Sequence, residues 1–172
     1  MVRALLVLMA LASGAASAAD PQWTAIFGRG VESADTDIVR LAYRHPLKDN
    51  GAWWRPSHAQ LGASVWQVPD IRGTTRRFDL NVTAIWRSEK PWGYLEGGFG
   101  SYLLSKTINN DDTRVPSAFE FGSHIGAGLR LAKNHTVGIA LQHLSNAGIK
   151  QPNGGIDLVL VQYTVSTGTP NR

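Results

Sequence analysis

The chain contains no cysteine, which excludes both a disulfide framework and a thiolate metal site. Charged residues make up only 17% of its 172 positions, and the net charge of +4 is scattered rather than gathered in blocks. That distribution makes no case for a nucleic-acid partner. Beyond the N-terminus no segment keeps a helical period, and no internal repeat, low-complexity tract or linker divides the chain. One domain is expected, and without disulfides it must rely on its own packing.

What is present begins with "MVRALLVLMALASGAASAAD". Arg3 supplies a positive start, Ala4 to Ala12 an apolar run, and Ala16-Ser17-Ala18 a small-residue cleavage site. The run is too short for a membrane span. Residues 1–18 therefore read as a signal peptide and 19–172 as the exported domain.

The mature part is a series of short alternating runs separated by turn-rich stretches. Strands are expected near Trp23–Gly30, Asp37–Arg44, Gln60–Gln67, Phe78–Arg87, Trp92–Leu103, Phe119–Leu131, Thr136–Ser145 and Ile156–Val165. In "RFDLNVTAIWR" Phe78, Leu80, Val82, Ala84 and Trp86 share one face, opposite Asp79, Asn81, Thr83 and Arg87. A soluble sandwich or lipocalin-like barrel would bury the apolar face, whereas a membrane barrel turns it to lipid. Glycine and charge decide between them. The polar faces are rich in Gly and carry Arg40, Asp79, Arg87, Glu96, Glu120 and Arg130, as a narrow lumen of paired charges would. The apolar faces end in Trp23, Tyr43, Phe78, Trp86, Phe119 and Tyr163, suited to interfacial girdles. The fold class is thus all-β, an eight-stranded antiparallel transmembrane barrel of the bacterial outer membrane. "SEKP" and "AKNH" are short enough for periplasmic turns, and "LSKTINNDDTRVPSA" is a long polar outer loop. The connection from His45 to Ala59 is long for its periplasmic side.

One polar pair interrupts the lipid face. Val137, Ile139, Leu141, His143 and Ser145 share a parity, so the imidazole and the hydroxyl project to the same side. On the last strand Asp157, Val159, Val161 and Tyr163 have the outward parity. This sets Asp157 beside the pair at the same outer end. H-x-S alone occurs by chance, and polar residues are common where strands reach headgroups. The matched acid, base and hydroxyl favour chemistry: Ser145 as nucleophile, His143 as base and Asp157 as its orienting carboxylate. Only a lipid ester would meet such a surface.

The stretch "QHLSNAGIKQPNGGID" resembles the signature of the lipid A 3-O-deacylase (PagL) family of outer-membrane barrels. The resemblance implies hydrolysis of the 3-O-linked acyl ester of lipid A, release of a 3-hydroxy fatty acid, and no cofactor or metal. It implies an oxyanion hole from the Asn146 side chain and the backbone N–H of Gly148. The family's acidic member, typically Glu, falls on Asp157, one methylene shorter. The ending "STGTPNR" also departs from the aromatic residue on which such barrels commonly finish. Partners implied are lipopolysaccharide as substrate and the outer membrane itself; a homodimer stays open.

Other features carry less. His124 and Glu120 share the lumenal face and suit an interior polar network. His45, His58 and His135 sit in turn-like segments without ligand spacing. Asp111-Asp112 belongs to a polar loop. Lys106, Arg114 and Lys150 fall on outer loops, where they would meet lipid phosphates. Trp53 and Trp54 suit interfacial anchoring. The rival readings are a non-catalytic structural or solute-binding barrel and a soluble exported barrel with an apolar ligand inside.

Overall fold

The computed structural model describes residues 20–32, 35–48, 52, 54–70, 73–109, 114–151 and 154–167. The signal-peptide reading of 1–18, Trp53, Asp111-Asp112 and the tail from 168 lie outside them, as does the side chain of Arg114.

Alternation becomes architecture directly. Ten strands form: β1 (Gln22–Gly30), β2 (Asp37–Pro46), β3 (His58–Asp70), β4 (Gly73–Lys90), β5 (Gly93–Leu104), β6 (Ile108–Asn109), β7 (Arg114–Val115), β8 (Phe119–Ala132), β9 (His135–Ser145) and β10 (Ile156–Ser166). Eight of them close into an antiparallel barrel in the order β1-β10-β9-β8-β5-β4-β3-β2, with β6 and β7 forming a separate hairpin. The seam is β1 on β10, in register from Gln22↔Ser166 to Gly30↔Leu158. Closure leaves the eight-stranded barrel without an open edge strand, a requirement for backbone in hydrocarbon. Leu61, Leu80, Val82, Phe99, Ile125, Ile139 and Leu141 all point outward and are more than half exposed, as a lipid-facing belt must be.

All eight expected strands are present, and β3 and β4 run further than expected. They continue through Val68↔Thr75 to Asp70↔Gly73. "TTRR" is polar on both faces there, so pairing persists after the hydrophobic period has faded. Two connections also differ from expectation. Within the outer loop, Ile108 pairs with Val115 and both are buried. The long β2–β3 connection is tied to the end of β4: Ser57 N–H donates to Ile85 O at 2.7 Å, and Trp86 Nε1 donates to Trp54 O at 2.9 Å. His45, His58 and His135 lie at strand ends rather than in turns.

The lumen has two halves. Towards the periplasmic turns it is charged. Glu96 accepts from Arg87 Nη2 at 2.6 Å, Arg44 Nη1 at 3.2 Å and Gln162 Nε2 at 3.1 Å. His124 Nε2 stands 3.7 Å from the same carboxylate, so its neighbour is Glu96; Glu120 instead accepts from Ser117 Oγ at 2.7 Å. Further up, Arg40 Nε donates to Ser64 Oγ at 2.8 Å, and Trp66 Nε1 to Asp79 Oδ2 at 2.6 Å. The outer half is largely apolar around buried Asp79 and Glu120, which the expectation of a polar interior did not foresee. Ile38, Trp66, Val68, Leu104, Leu144 and Leu158 pack there under Ile108 and Val115. Arg130 is not lumenal: it sits at the rim, exposed, with Nη2 3.1 Å from Glu89 Oε2.

Candidate active site

The closing hairpin β9–β10 carries the predicted trio. Its register sets Asp157 opposite His143 and Ile156 opposite Leu144. Leu144, Ile156 and Leu158 turn inward and are buried, which locks the strands' parity. His143 and Asp157 consequently face out of the barrel, with side chains 48% and 57% exposed, above Ile139, Leu141, Val159 and Val161. Their side chains meet: His143 Nδ1 and Asp157 Oδ1 are 2.7 Å apart. A carboxylate only accepts, so in this contact Nδ1–H is the donor to Asp157. The shorter carboxylate of Asp therefore spans the distance to the imidazole. A backbone bond from Val31 N–H to Asp157 O, 2.9 Å, ties the same residue to the chain beyond β1.

Ser145 ends β9, half-buried and on the face of His143. One register step beyond Ile156↔Leu144 brings Gly155 across from it. Gly155 has φ of +70°, and a Cβ built there would lie 2.6 Å from Leu144 O, 2.9 Å from His143 Cε1 and 3.2 Å from Ser145 Cβ. The imidazole and the serine thus border one point, which Gly155 leaves open. The sequence reading did not single out Gly155; the Gly-Gly before Ile156 was the available signal.

The loop after Ser145 is built around Asn146. Its side chain is buried; Oδ1 accepts from Gly148 N–H and Nδ2 donates to Lys150 O, each at 3.0 Å. Ala147 and Gly148 take φ of +54° and +82°. A left-handed Ala is uncommon and costs about 1–2 kcal/mol, sustained by the turn that Asn146 closes. Both expected oxyanion donors are therefore engaged within this loop, Gly148 N–H on Asn146 Oδ1 and Asn146 Nδ2 on Lys150 O.

Two flanks distinguish the surroundings. On β8, Phe121 is the register partner of Ser145, and Ser123 that of His143. Phe121 stacks on Phe99 at 5.9 Å between centroids and meets Phe119 edge-on at 5.1 Å. On the other side, Arg29 of β1 and Asp37 of β2 form a two-pronged pair, Nε–Oδ1 2.8 Å and Nη2–Oδ2 3.1 Å. Arg29 escaped the sequence reading, although its parity with Phe27 would have placed it outward. Lys106 and Lys150 are exposed on the outer connections. Trp23 and Tyr43 contact at 5.2 Å, and His135 Nδ1 lies 2.7 Å from Tyr163 OH, at the opposite interface. Among the described residues no group of His, Asp and Glu gathers as a metal site.

Comparison with known proteins gives the arrangement a context. Residues 37–166 match the family described as lipid A 3-O-deacylase (PagL). The chain is 36% identical over 134 residues to a lipid A deacylase PagL of Bordetella bronchiseptica, covering 73% of this chain and 74% of that protein. It is 31% identical over 124 residues to a lipid A deacylase PagL of Pseudomonas aeruginosa, covering 66% and 70%. A crystal structure of the outer membrane enzyme PagL superposes with a TM-score of 0.65 at 25% identity, covering 84% of this chain and 99% of that one. Neisserial surface protein A shares the fold alone, with a TM-score of 0.55 at 11% identity, covering 88% and 98%. This outer-membrane β-barrel therefore belongs to the lipid A 3-O-deacylase (PagL) family.

Proposed function

We propose that the protein is a serine hydrolase that removes the 3-O-linked acyl chain of lipid A and releases a 3-hydroxy fatty acid. The carrying observation is the 2.7 Å His143–Asp157 pair on the lipid-facing wall beside Ser145. Family membership supports the substrate, since both named relatives are lipid A deacylases.

Ser145 Oγ attacks the ester carbonyl while His143 Nε2 takes its proton. Asp157 keeps the proton on Nδ1 and stabilises the imidazolium. The tetrahedral intermediate collapses, His143 returns the proton to the departing sugar 3-hydroxyl, and the acyl group stays on Ser145. Water then attacks the acyl-enzyme, giving its proton to His143, and the free acid leaves as Ser145 regains its hydrogen. Asn146 and Gly148 are the oxyanion donors in this reading. Gly148 N–H would exchange Asn146 Oδ1 for the developing oxyanion, a contact whose loss typically costs about 3–4 kcal/mol of transition-state stabilisation.

The test is lipid A mass spectrometry in a bacterium carrying 3-O-acylated lipid A. Wild type is expected to remove one hydroxyacyl mass and Ser145→Ala none. Equal loss with both proteins would remove Ser145 from the mechanism, and no loss with either would reject the substrate.

A further inference from the structure

The lipid-facing wall carries a second feature, on the side of the barrel turned away from the trio. In the closed order β4 lies four strands from β10 in either direction, and β3 four strands from β9. A groove of about 590 Å³ runs there, lined by Ala63 and Val65 of β3, Phe78 and Leu80 of β4 and Leu103 of β5. That volume is sufficient for a ligand-sized group. Two details of the sequence carve it. Ala63 stands in register between Leu41 and Leu80, a short side chain among long ones. Next to it β5 parts from β4 at Ser105, whose N–H donates to Phe78 O at 2.8 Å and whose Oγ accepts from Phe78 N–H at 3.0 Å. Above that point β4 continues beside β3 alone. The register also gives the depth. Partners traced from Ser145 through Val82 on β4 and Trp23 on β1, and so round to β9, end on His135, ten residues down the same strand. Spread over a tilted eight-stranded barrel, that stagger amounts to about four residues for the three steps from β9 to β4. The level of Ser145 therefore falls near Phe78 on β4. Arg76, exposed and of the same outward parity, stands one pleat higher, and exposed Lys106 follows Ser105 on the same rim. Arg29, across the barrel, is engaged by Asp37. Among the described residues no carboxylate pairs with Arg76 or Lys106.

We propose that this groove is a second, non-catalytic site for lipid A, taking one acyl chain along Ala63, Leu80 and Leu103 and a sugar phosphate against Arg76 and Lys106. Charge and level choose the occupant. An acyl chain by itself gains little here, because the surrounding lipid tails are as apolar as the wall. Cations at the boundary between apolar belt and headgroups add attraction for an anionic lipid. The planar guanidinium of Arg76 also matches phosphate oxygens in a two-pronged geometry. Lipids of the inner leaflet meet the opposite end of the barrel, where Trp23, Tyr43 and Tyr163 lie. The phosphorylated glycolipid of the outer leaflet is the one within reach. Since the groove faces away from Ser145, a molecule seated in it lies outside the reach of that hydroxyl and is held intact. The site does not depend on the hydrolytic reading.

The chain has no cysteine, so a single introduced thiol can carry a reporter. Gln67→Cys, at the exposed register partner of Arg76, is labelled with an environment-sensitive dye in the full-length protein folded in detergent micelles. A Ser145→Ala background keeps the lipid uncleaved. The labelled protein is titrated with lipid A, with lipid A stripped of its phosphates, and with phosphatidylglycerol. Half-saturation is expected at about tenfold lower concentration for lipid A than for either other lipid, the scale of two cations at a membrane surface. Arg76→Gln combined with Lys106→Gln should abolish that preference. Ala63→Phe, which fills the groove, should weaken lipid A several-fold while the preference for phosphate persists. Ile139→Ala, a lipid-facing change on β9, alters neither. Heat-modifiable gel migration verifies that each variant is folded, and the comparison of lipids on the parent protein needs no variant of the groove. Equal midpoints with and without phosphates overturn the proposal, as does an undiminished preference in the double-Gln protein. Equally tight phosphatidylglycerol makes the groove a general anionic-lipid site and removes lipid A as its occupant. A signal that follows protein concentration, with disulfide-linked copies in lipid-free micelles, makes it a dimer face instead. Every arm reads binding in a protein that does not turn over, so failure here leaves the deacylase reading standing, and failure of that reading leaves this result standing.

Discussion

Gly155→Ala is the most exacting test of the site, because it adds a single methyl group at the point bordered by two members of the trio. Two costs follow. The residue sits at φ +70°, where a Cβ costs about 1–2 kcal/mol. The new methyl would also stand 2.6 Å from Leu144 O, a backbone atom on the strand between His143 and Ser145. That carbonyl cannot rotate away as a side-chain tip would, so β9 and β10 must part by most of an ångström. His143 Cε1, at 2.9 Å, is pushed in the same movement. Displacements of about 1 Å in a reacting geometry can cost about 10²-fold in rate. A fall in kcat of about 10- to 100-fold is therefore expected, with KM held within about threefold because the added methyl meets only Leu144, His143 and Ser145. Initial rates on micellar lipid A, followed by mass spectrometry of the released acid, measure it. Heat-modifiable migration certifies that the barrel is intact. A folded Gly155→Ala protein with kcat within twofold of wild type would refute the reasoning.

Other outcomes follow from the same geometry. Asp157→Asn should lower kcat by about 10²-fold or more, because an amide no longer holds the proton on Nδ1; initial rates in micelles measure it. Asp157→Glu should stay within about tenfold of wild type in the same assay, since the native 2.7 Å contact needs no extra methylene. Glu96→Ala leaves Arg44 and Arg87 buried without their shared carboxylate, and should destabilise the barrel by about 3–5 kcal/mol in urea-unfolding midpoints read by gel shift. Trp66→Phe removes the 2.6 Å bond to Asp79 and should cost about 1–3 kcal/mol by the same measurement.

The fold was legible wherever one face of a strand meets lipid and the other does not. Alternation in "RFDLNVTAIWR" and in β9 placed side chains correctly without any contact information. It failed in two places, each for a physical reason. Polar residues on both faces of Thr74–Arg77 conceal a strand, and Trp66, Leu144 and Leu158 face inward although a membrane barrel was expected to be polar inside. Periodicity reports which residues share a face and says nothing of how a lumen is filled. Arg130 lies so near its strand's end that lumenal parity carries it to the rim beside Glu89. At the site, the parity of His143, Ser145 and Asp157 was readable because β9 and β10 are consecutive and joined by one hairpin. The Asn146–Gly148 bond and the close approach of Gly155 were not, since both depend on left-handed backbone that composition only hints at. Arg29 and Phe121 flank the same residues from strands far away in the chain, and only the register brings them there.

The strand bearing Asp157 is also the one that completes the cylinder. β10 pairs with β9 on one side and with β1 on the other, and Val31 clasps the backbone of Asp157 itself. An unclosed sheet would still set Asp157 opposite His143 across β9 and β10, but its backbone would lack the clasp of Val31. On the serine-hydrolase reading proposed above, full hydrolytic competence should consequently arrive in the last step of insertion, when the first and final segments zip together. On that reading, turnover would serve as a readout of finished biogenesis.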